Sequence, residues 1–232
     1  MSKILWRPTK ARIRITNMYQ FMEYVNTRHH LSLDNYGELY AWSIEESPVF
    51  WETLWAYSEV IHSQSYNQVV DDIKKMPGAR WFEGARLNFA ENLLRYRDHR
   101  IALSFKGEGR STVSITYGEL YQQVAALAQS LLVLGIEPGD RIAGFMPNMI
   151  ETVVAMLAAA SIGAVWSSCS PDFGIKGVLD RFGQIEPRVL FTADGYFYNG
   201  KEFDSLDRIS EIIKDLPSIE KNCRCSVQRH PP

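Results

Sequence analysis

RIAGFMPNMIETVVAMLAAASIGAVWSSCSPDFGIKGVLDRFGQIEPRVLFTA, residues 141–193, carries the decision about the fold. Apolar runs at 141–146, 164–168 and 188–192 alternate with longer periodic segments at 149–162 and 173–182, an order that reads β-α-β-α-β. Strands separated by helices of this length must run parallel, and their crossovers are right-handed in nearly all proteins. The expected class is therefore α/β, with part of a doubly wound parallel sheet whose ligands collect at the carboxyl ends of its strands. Those ends are Pro147-Asn148, residues 169–172 and residues 193–201.

Outward from this core, residues 205–216 read as a helix with Leu206, Ile209, Ile212, Ile213 and Leu216 on one side. Thr116 and Glu119 form a capping box that opens a helix with Leu120, Val124, Leu127 and Leu131 inward, closed by Gly135. Residues 101–105 and 111–115 read as a hairpin joined by residues 106–110. Five tryptophans, Trp6, Trp42, Trp51, Trp55 and Trp81, fall in the first hundred residues. There Thr16 or Asn17 caps a helix carrying Met18, Phe21, Met22 and Val25, and a short helix carries Tyr36, Leu39 and Tyr40. Ser47 caps a third, with Pro48 in its first turn and Phe50, Trp51, Leu54 and Trp55 following. Pro77, Gly78 and Gly84 place Trp81 and Phe82 on a loop, and Asn88 with Glu91 starts another helix. The expected organisation is a helical, aromatic-rich extension at 1–98 packing on the core and a partial α/β subdomain at 99–220. A divergent, disordered basic tail is expected at 221–232, KNCRCSVQRHPP, which holds no acid and neither apolar period.

The composition narrows the partners. With 232 residues, 46% hydrophobic and 22% charged, the chain is neither a disordered nor a fibrous type. A net charge of -2 supplies no field to hold nucleic acid. Three cysteines, Cys169, Cys223 and Cys225, make no disulfide framework and point to a reducing compartment. Residues 1–21 lack the apolar run of a signal peptide, and residues 149–166 are too interrupted, by Glu151 and Gly163, for a membrane span. The cytosol is expected, with a mitochondrial presequence the alternative that the basic N-terminus leaves open.

Most local motifs dissolve on inspection. GYFYNGK, residues 195–201, follows the phosphate loop G-x-x-x-x-G-K, but Glu202 stands where a hydroxyl is required. A carboxylate there opposes phosphate by roughly 4 kcal/mol at about 4 Å and an effective dielectric near 20. Gly107-Glu108-Gly109 is a turn rather than a dinucleotide fingerprint. His29 and His30 point to different faces of any helix and read as surface residues. Cys223 and Cys225 with His230 are too tightly spaced for zinc and lack a fourth ligand. From the residues alone, the chemistry is not visible.

As a set, however, four segments resemble the N-terminal portion of the adenylate-forming acyl-CoA synthetases: FWETLWAYSEV at 50–60, ARWFEGARLNFAENLL at 79–94, the stretch from ITYGEL to SPDFG at 115–174, and LFTADGYFYNGKE at 190–202. The WF-x-G-x-x-LN-x-x-x-N block at 81–92 is similar to the acetyl- and acetoacetyl-CoA synthetase branch, and WSSCSPDFG at 166–174 to its acetoacetate-using members. The resemblance implies a ligase that makes an acyl-adenylate from acetoacetate and ATP with magnesium, then transfers the acyl group to coenzyme A with loss of AMP. It also implies that the family's phosphate loop, acyl and adenine pockets and mobile C-terminal domain lie beyond residue 232. The expectation is thus an N-terminal fragment, a truncated or alternatively spliced product inactive by itself, with no catalytic residue and no metal ligand assigned. Coenzyme A contacts carried over by the resemblance fall at Ser170, Pro171 and Asp172, and at Tyr198, Gly200 and Lys201. Lys201 stands near the nucleotide end of the coenzyme, and Tyr198 replaces the family's arginine, leaving a stacking contact in place of an ion pair. The plainer readings are a solvated lysine for Lys201, a helix N-cap for Ser170 and a first-turn acid for Asp172. Alternatives kept beside this one are a fragment of an acetyl-CoA synthetase-like or other short-chain enzyme, and a non-catalytic module that binds coenzyme A or pairs with a full-length subunit.

Overall fold

A computed structural model describes residues 5–108 and 111–227. The chain divides into two compact units between Leu87 and Asn88, eleven residues before the boundary expected at 98.

The first unit holds α1 (Lys10–Arg14), α2 (Asn17–His29), α3 (Tyr36–Glu45), α4 (Ser47–Tyr57) and an antiparallel pair, β1 (Gln68–Val70) and β2 (Trp81–Glu83). Thr16 caps α2 by accepting from the Tyr19 amide at 3.3 Å, and Asn35 caps α3 by accepting from Glu38 at 3.1 Å. Helix α4 differs: Glu46 sits at its cap with no side-chain bond, and Ser47 is already helical. Phe21, Met22 and Val25 pack with Leu39, Trp42 and Phe50, while Met18 stays 51% exposed. His29 is half-buried rather than a free surface residue. Its Nε2 lies 2.8 Å from Oγ1 of buried Thr53, whose hydroxyl donates to the Val49 carbonyl, so the ring N–H must be the donor. Phe82, with φ of 50°, stacks on Trp55 at 4.7 Å with Tyr66 edge-on at 5.3 Å. Trp81 and Phe82 thus belong to a strand, not to the expected loop.

The second unit runs α5 (Phe89–Leu93), β3 (Ile101–Phe105), β4 (Val113–Thr116), α6 (Tyr117–Val133), β5 (Arg141–Phe145), α7 (Ile150–Ser161), β6 (Val165–Cys169), α8 (Ile175–Ile185), β7 (Val189–Ala193), β8 (Gly195–Tyr198), β9 (Lys201–Asp204), α9 (Leu206–Lys214) and β10 (Lys221–Cys225). Its sheet has the order β10-β7-β5-β6, parallel throughout. The path leaves β5 to one side, crosses back past it to β7, and continues outward to β10, so the strand order reverses between β5 and β7. Alternation along the strands feeds two apolar layers. Ile142 and Val189 join Val124, Leu131, Val154 and Ala158 from α6 and α7 on one face. Ala143, Phe145 and Leu190 join Val178, Phe182, Ile209 and Ile212 from α8 and α9 on the other. Fully buried side chains such as Phe182 and Ile212 contribute about 1.5–3 kcal/mol each. The capping box at the start of α6 forms as read: the Glu119 amide donates to Thr116 Oγ1 at 3.2 Å and the Thr116 amide donates to the Glu119 carboxylate at 2.7 Å.

Residues 221–225 are not an irregular tail but the outer strand β10, paired from Lys221 with Val189 to Cys225 with Ala193. Cys223 and Cys225 turn into the apolar layer while Thr192 Oγ1 donates to Asn222 Oδ1 at 3.1 Å, an alternation hidden when cysteine is weighed as a metal ligand rather than a small apolar residue. Residues 228–232, His230 among them, lie outside the described residues. Residues 193–201 are likewise not one loop: β8 and β9 form a hairpin turning on Asn199-Gly200, with φ of 51° and 70°. Two left-handed central residues make this the type I′ turn that Asn-Gly favours.

At the amino ends of the strands, Arg188 binds the Glu220 carboxylate at 2.8 and 2.9 Å, the Asp140 carboxylate, and the Gly135 carbonyl at 3.1 Å. The Glu137 amide and then Arg188 hold the Asp140 carboxyl below its usual range, and Arg188 does the same for Glu220. Their folded pKa values are lower than the unfolded ones, so their contribution to stability is complete above about pH 4 to 5 and is lost as pH falls below that range. Urea midpoints measured from pH 7 to 3 should therefore drop on the acid side, and Arg188→Met should flatten that drop. Packing gives a second expectation. A Cβ at Gly144 in β5 would lie 2.6 Å from the Trp166 ring. Gly144→Ala should cost about 1–3 kcal/mol by overpacking, and combining it with Trp166→Ala should cost less than the sum of the two, read by denaturant unfolding.

Candidate functional site

The segments that follow β5 and β10 enclose, with the β3–β4 and β8–β9 hairpins, a cavity of about 540 Å³. It lies beyond the carboxyl ends of the parallel strands, the side on which open α/β sheets bind their ligands. Phe105 and Val113 of the β3–β4 hairpin, Met149 and Ile150 at the start of α7, and Phe197 and Val227 supply apolar walls. Lys106, Glu108 and Glu151 add charge. Asp194, the residue after β7, holds two of the lining residues in place. Its carboxylate accepts from Ser226 Oγ at 2.7 Å and from the Val227 amide at 2.6 Å, and its own N–H donates to the Cys225 carbonyl at 3.1 Å. These bonds carry the chain past β10 and set Val227 against the cavity. An apolar recess with a few charged groups at its margin can seat the non-polar part of a small ligand.

The residues expected to touch coenzyme A occupy two places. Ser170, Pro171 and Asp172 follow the outer strand β6. The Ser170 carbonyl accepts from the Phe173 amide at 3.1 Å in a turn, and Gly174 rather than Ser170 is the N-cap of α8. Asp172 likewise lies outside the first helical turn, so its reading as an acid on the helix dipole is also replaced. Pro171 is buried and its carbonyl accepts from Arg208 of α9 at 2.7 Å. Tyr198, Gly200 and Lys201 form the tip of the β8–β9 hairpin, with Tyr198 paired to Lys201 across the strands and 66% exposed. The first group is held by α9, on one face of the sheet, whereas Phe197 of the hairpin packs into the layer on the other. Among the described residues, neither group lines the cavity; the hairpin contributes Tyr196 and Phe197 to it instead.

The electrostatics leave the thiols protonated. Burial pushes the Cys169 thiol up, and burial followed by the nearby Glu151 charge pushes Cys225 up to about 11. Among the described residues, no group of three or more His, Cys, Asp or Glu side chains comes together to hold a metal ion. The hairpin turn has anion-holding chemistry: the amides of Asn199 and Gly200 donate to the two oxygens of the Glu108 carboxylate at 3.0 and 2.8 Å. Glu108, Asp194 and the cavity walls escape sequence reasoning because they converge from distant segments. The Asn-Gly pair is the one local signal that would have located the hairpin.

Comparison with known proteins gives the site a context. A family described as AMP-binding enzyme matches residues 89–232, and one described as acetyl-coenzyme A synthetase N-terminus matches residues 36–93. The chain is 45% identical over 223 residues to acetoacetyl-CoA synthetase of Xenopus tropicalis, covering 95% of this chain and 33% of that protein. It is 44% identical over 212 residues to acetoacetyl-coenzyme A synthetase of Rhizobium meliloti, covering 91% and 32%. It is 42% identical over 225 residues to malonamoyl-CoA synthetase of Penicillium aethiopicum, covering 94% and 31%. The solved acetoacetyl-CoA synthetase from Streptomyces lividans superposes with a TM-score of 0.91 at 40% identity, covering 100% of this chain and 36% of that one. The chain thus spans about a third of the length of the curated relatives it matches. Within the site, the anchoring role of Asp194 is open to test: Asp194→Ala should raise hydrogen exchange at the Val227 amide by at least about tenfold, the yield of a charge-assisted bond worth roughly 1.5–3 kcal/mol, while β5 amides keep their protection.

Proposed function

The chain belongs to the AMP-binding enzyme family, and from that membership we propose that it is the N-terminal part of an acid–thiol ligase converting acetoacetate, ATP and coenzyme A to acetoacetyl-CoA, AMP and pyrophosphate. The observation that carries the reading is the likeness to acetoacetyl-CoA synthetases over 91–95% of this chain, from Rhizobium meliloti to Xenopus tropicalis.

The chemistry has a plain reason. A carboxylate repels nucleophiles through its charge and resonance, and ATP with magnesium supplies the activation by turning it into a mixed anhydride with a good leaving group. Phosphoryl chemistry of this kind depends on groups that stabilise developing charge. The part of this chain in the reaction is to bind and orient. The hairpin tip, Tyr198 to Lys201, suits the nucleotide end of coenzyme A: its turn amides donate to one carboxylate, that of Glu108, and exposed Lys201 adds a cation beside them. The Ser170-Pro171-Asp172 loop is the second contact, braced by Arg208. No residue of the chain is assigned to magnesium or to the chemical step, and the 232-residue chain by itself is expected to be inactive.

The substrate acid stays within the short polar acids. The 42% identity to a malonamoyl-CoA synthetase favours a second reading in which another short acid is the substrate. A different class, a non-catalytic coenzyme A-binding or subunit-pairing module, draws support from β10, an outer strand among the described residues whose free edge can accept a further strand. The cytosol is the expected compartment; among the described residues no helix is long and apolar enough to cross a membrane.

Acetoacetate-dependent ATP–pyrophosphate exchange tests the reading. The purified 232-residue chain should give none, and robust exchange would overturn its inactivity. Calorimetry should detect coenzyme A, with Lys201→Ala weakening it about two- to fivefold, the yield of an exposed ion pair worth up to roughly 1 kcal/mol. No heat in either form would remove the ligand-binding part of the reading.

A further inference from the structure

In a two-residue hairpin the cross-strand ladder uses the flanking pair, here Tyr198 and Lys201, and leaves the two turn N–H groups directed outward. Glu108 takes both of them, one carboxylate oxygen on each, at 3.0 and 2.8 Å. The contact spans 91 and 92 residues, so it is a tertiary tie and not a local cap. It joins the β3–β4 segment to the β8–β9 hairpin, and each of these lines the 540 Å³ cavity. Successive amides converging on one anion form the kind of concavity that also holds phosphate.

We propose that Glu108 is a built-in competitor for the anion site of the hairpin: its carboxylate occupies the Asn199 and Gly200 amides, and a phosphate ester must displace it to bind there. The inference rests on the reading of the hairpin as the place for the nucleotide end of coenzyme A. The consequence is selectivity. A tethered carboxylate competes at an effective concentration in the millimolar range or above, so weakly charged ligands fail to displace it. A phosphate monoester brings about -1.5 to -2 charge and three acceptor oxygens, enough to exchange for a single carboxylate. The apparent affinity is reduced by the fraction of molecules in which the amides are free, so a tie closed in nine molecules of ten weakens binding about tenfold.

Glu108→Gln keeps the size of the side chain and one carbonyl acceptor while removing the charge. Calorimetry with coenzyme A on the 232-residue chain should show it binding about three- to tenfold more tightly to Glu108→Gln than to the unaltered chain. Lys201→Ala should weaken binding in both backgrounds. In nitrogen-15 spectra of the unaltered chain, coenzyme A should shift the Asn199 and Gly200 amides and lower the apparent influence of Glu108 on them; Glu108→Asp, which keeps the charge, should restore most of the competition. Equal or weaker binding by a folded Glu108→Gln chain, with Lys201→Ala still weakening it, would overturn the competitor while leaving the hairpin reading in place. Coenzyme A that binds no form of the chain and moves neither amide would overturn both.

Discussion

Strand β5 has to be covered on both faces at once. Ile142, Ala143 and Phe145 are almost wholly removed from water, and successive side chains of a strand point to opposite sides, so no single layer of helices can shelter them. The chain meets this demand by placing α6 and α7 on one face and α8 and α9 on the other, which forces the path to cross past β5 between β6 and β7. The crossing is what creates a reversal of strand order. The cavity is built from what lies beyond that sheet: the β3–β4 and β8–β9 hairpins, the start of α7 and the segment after β10.

The two ends of the sheet then carry different kinds of interaction. At the amino ends, Arg188 gathers carboxylates that enter β5 and β10, a cross-link among strands. Such pairs near water contribute modestly, and here several share one guanidinium. At the carboxyl ends the connections are held by carboxylates that accept from backbone amides: Asp194 from Val227, Glu108 from Asn199 and Gly200. A backbone amide is a fixed, directional donor, so these contacts position loops more closely than an exposed ion pair between long side chains can. They also put these amide–carboxylate contacts at the carboxyl end of the sheet, the side on which open α/β sheets bind their ligands.

Much of the fold could be read from residues 141–193. The alternation of short apolar runs with helical periods gave the parallel strands, and Thr116 with Glu119 gave the start of α6, because each depends on neighbours within a few residues. The hairpin at Asn199-Gly200 is equally local, but setting 195–201 against the phosphate loop, which Glu202 rules out, leaves the turn signal in the same letters unused. β10 was lost for another reason: five residues alternating cysteine with polar side chains look irregular until β7 is beside them. The plainer reading of Ser170, a helix N-cap, fails because the turn closed by Phe173 delays the helix to Ile175.

The sequence by itself determined the class of fold, the parallel direction of the central strands and the resemblance to the acyl-CoA synthetases, since periodicity and contiguous motifs are properties of neighbouring residues. Only the tertiary structure decided that Glu108 meets a turn ninety residues away, that Asp194 fixes Val227, and that an apolar recess opens between them. Such contacts join segments whose separation along the chain carries no signature, because the distance between them is set by how the sheet and its two helical layers pack.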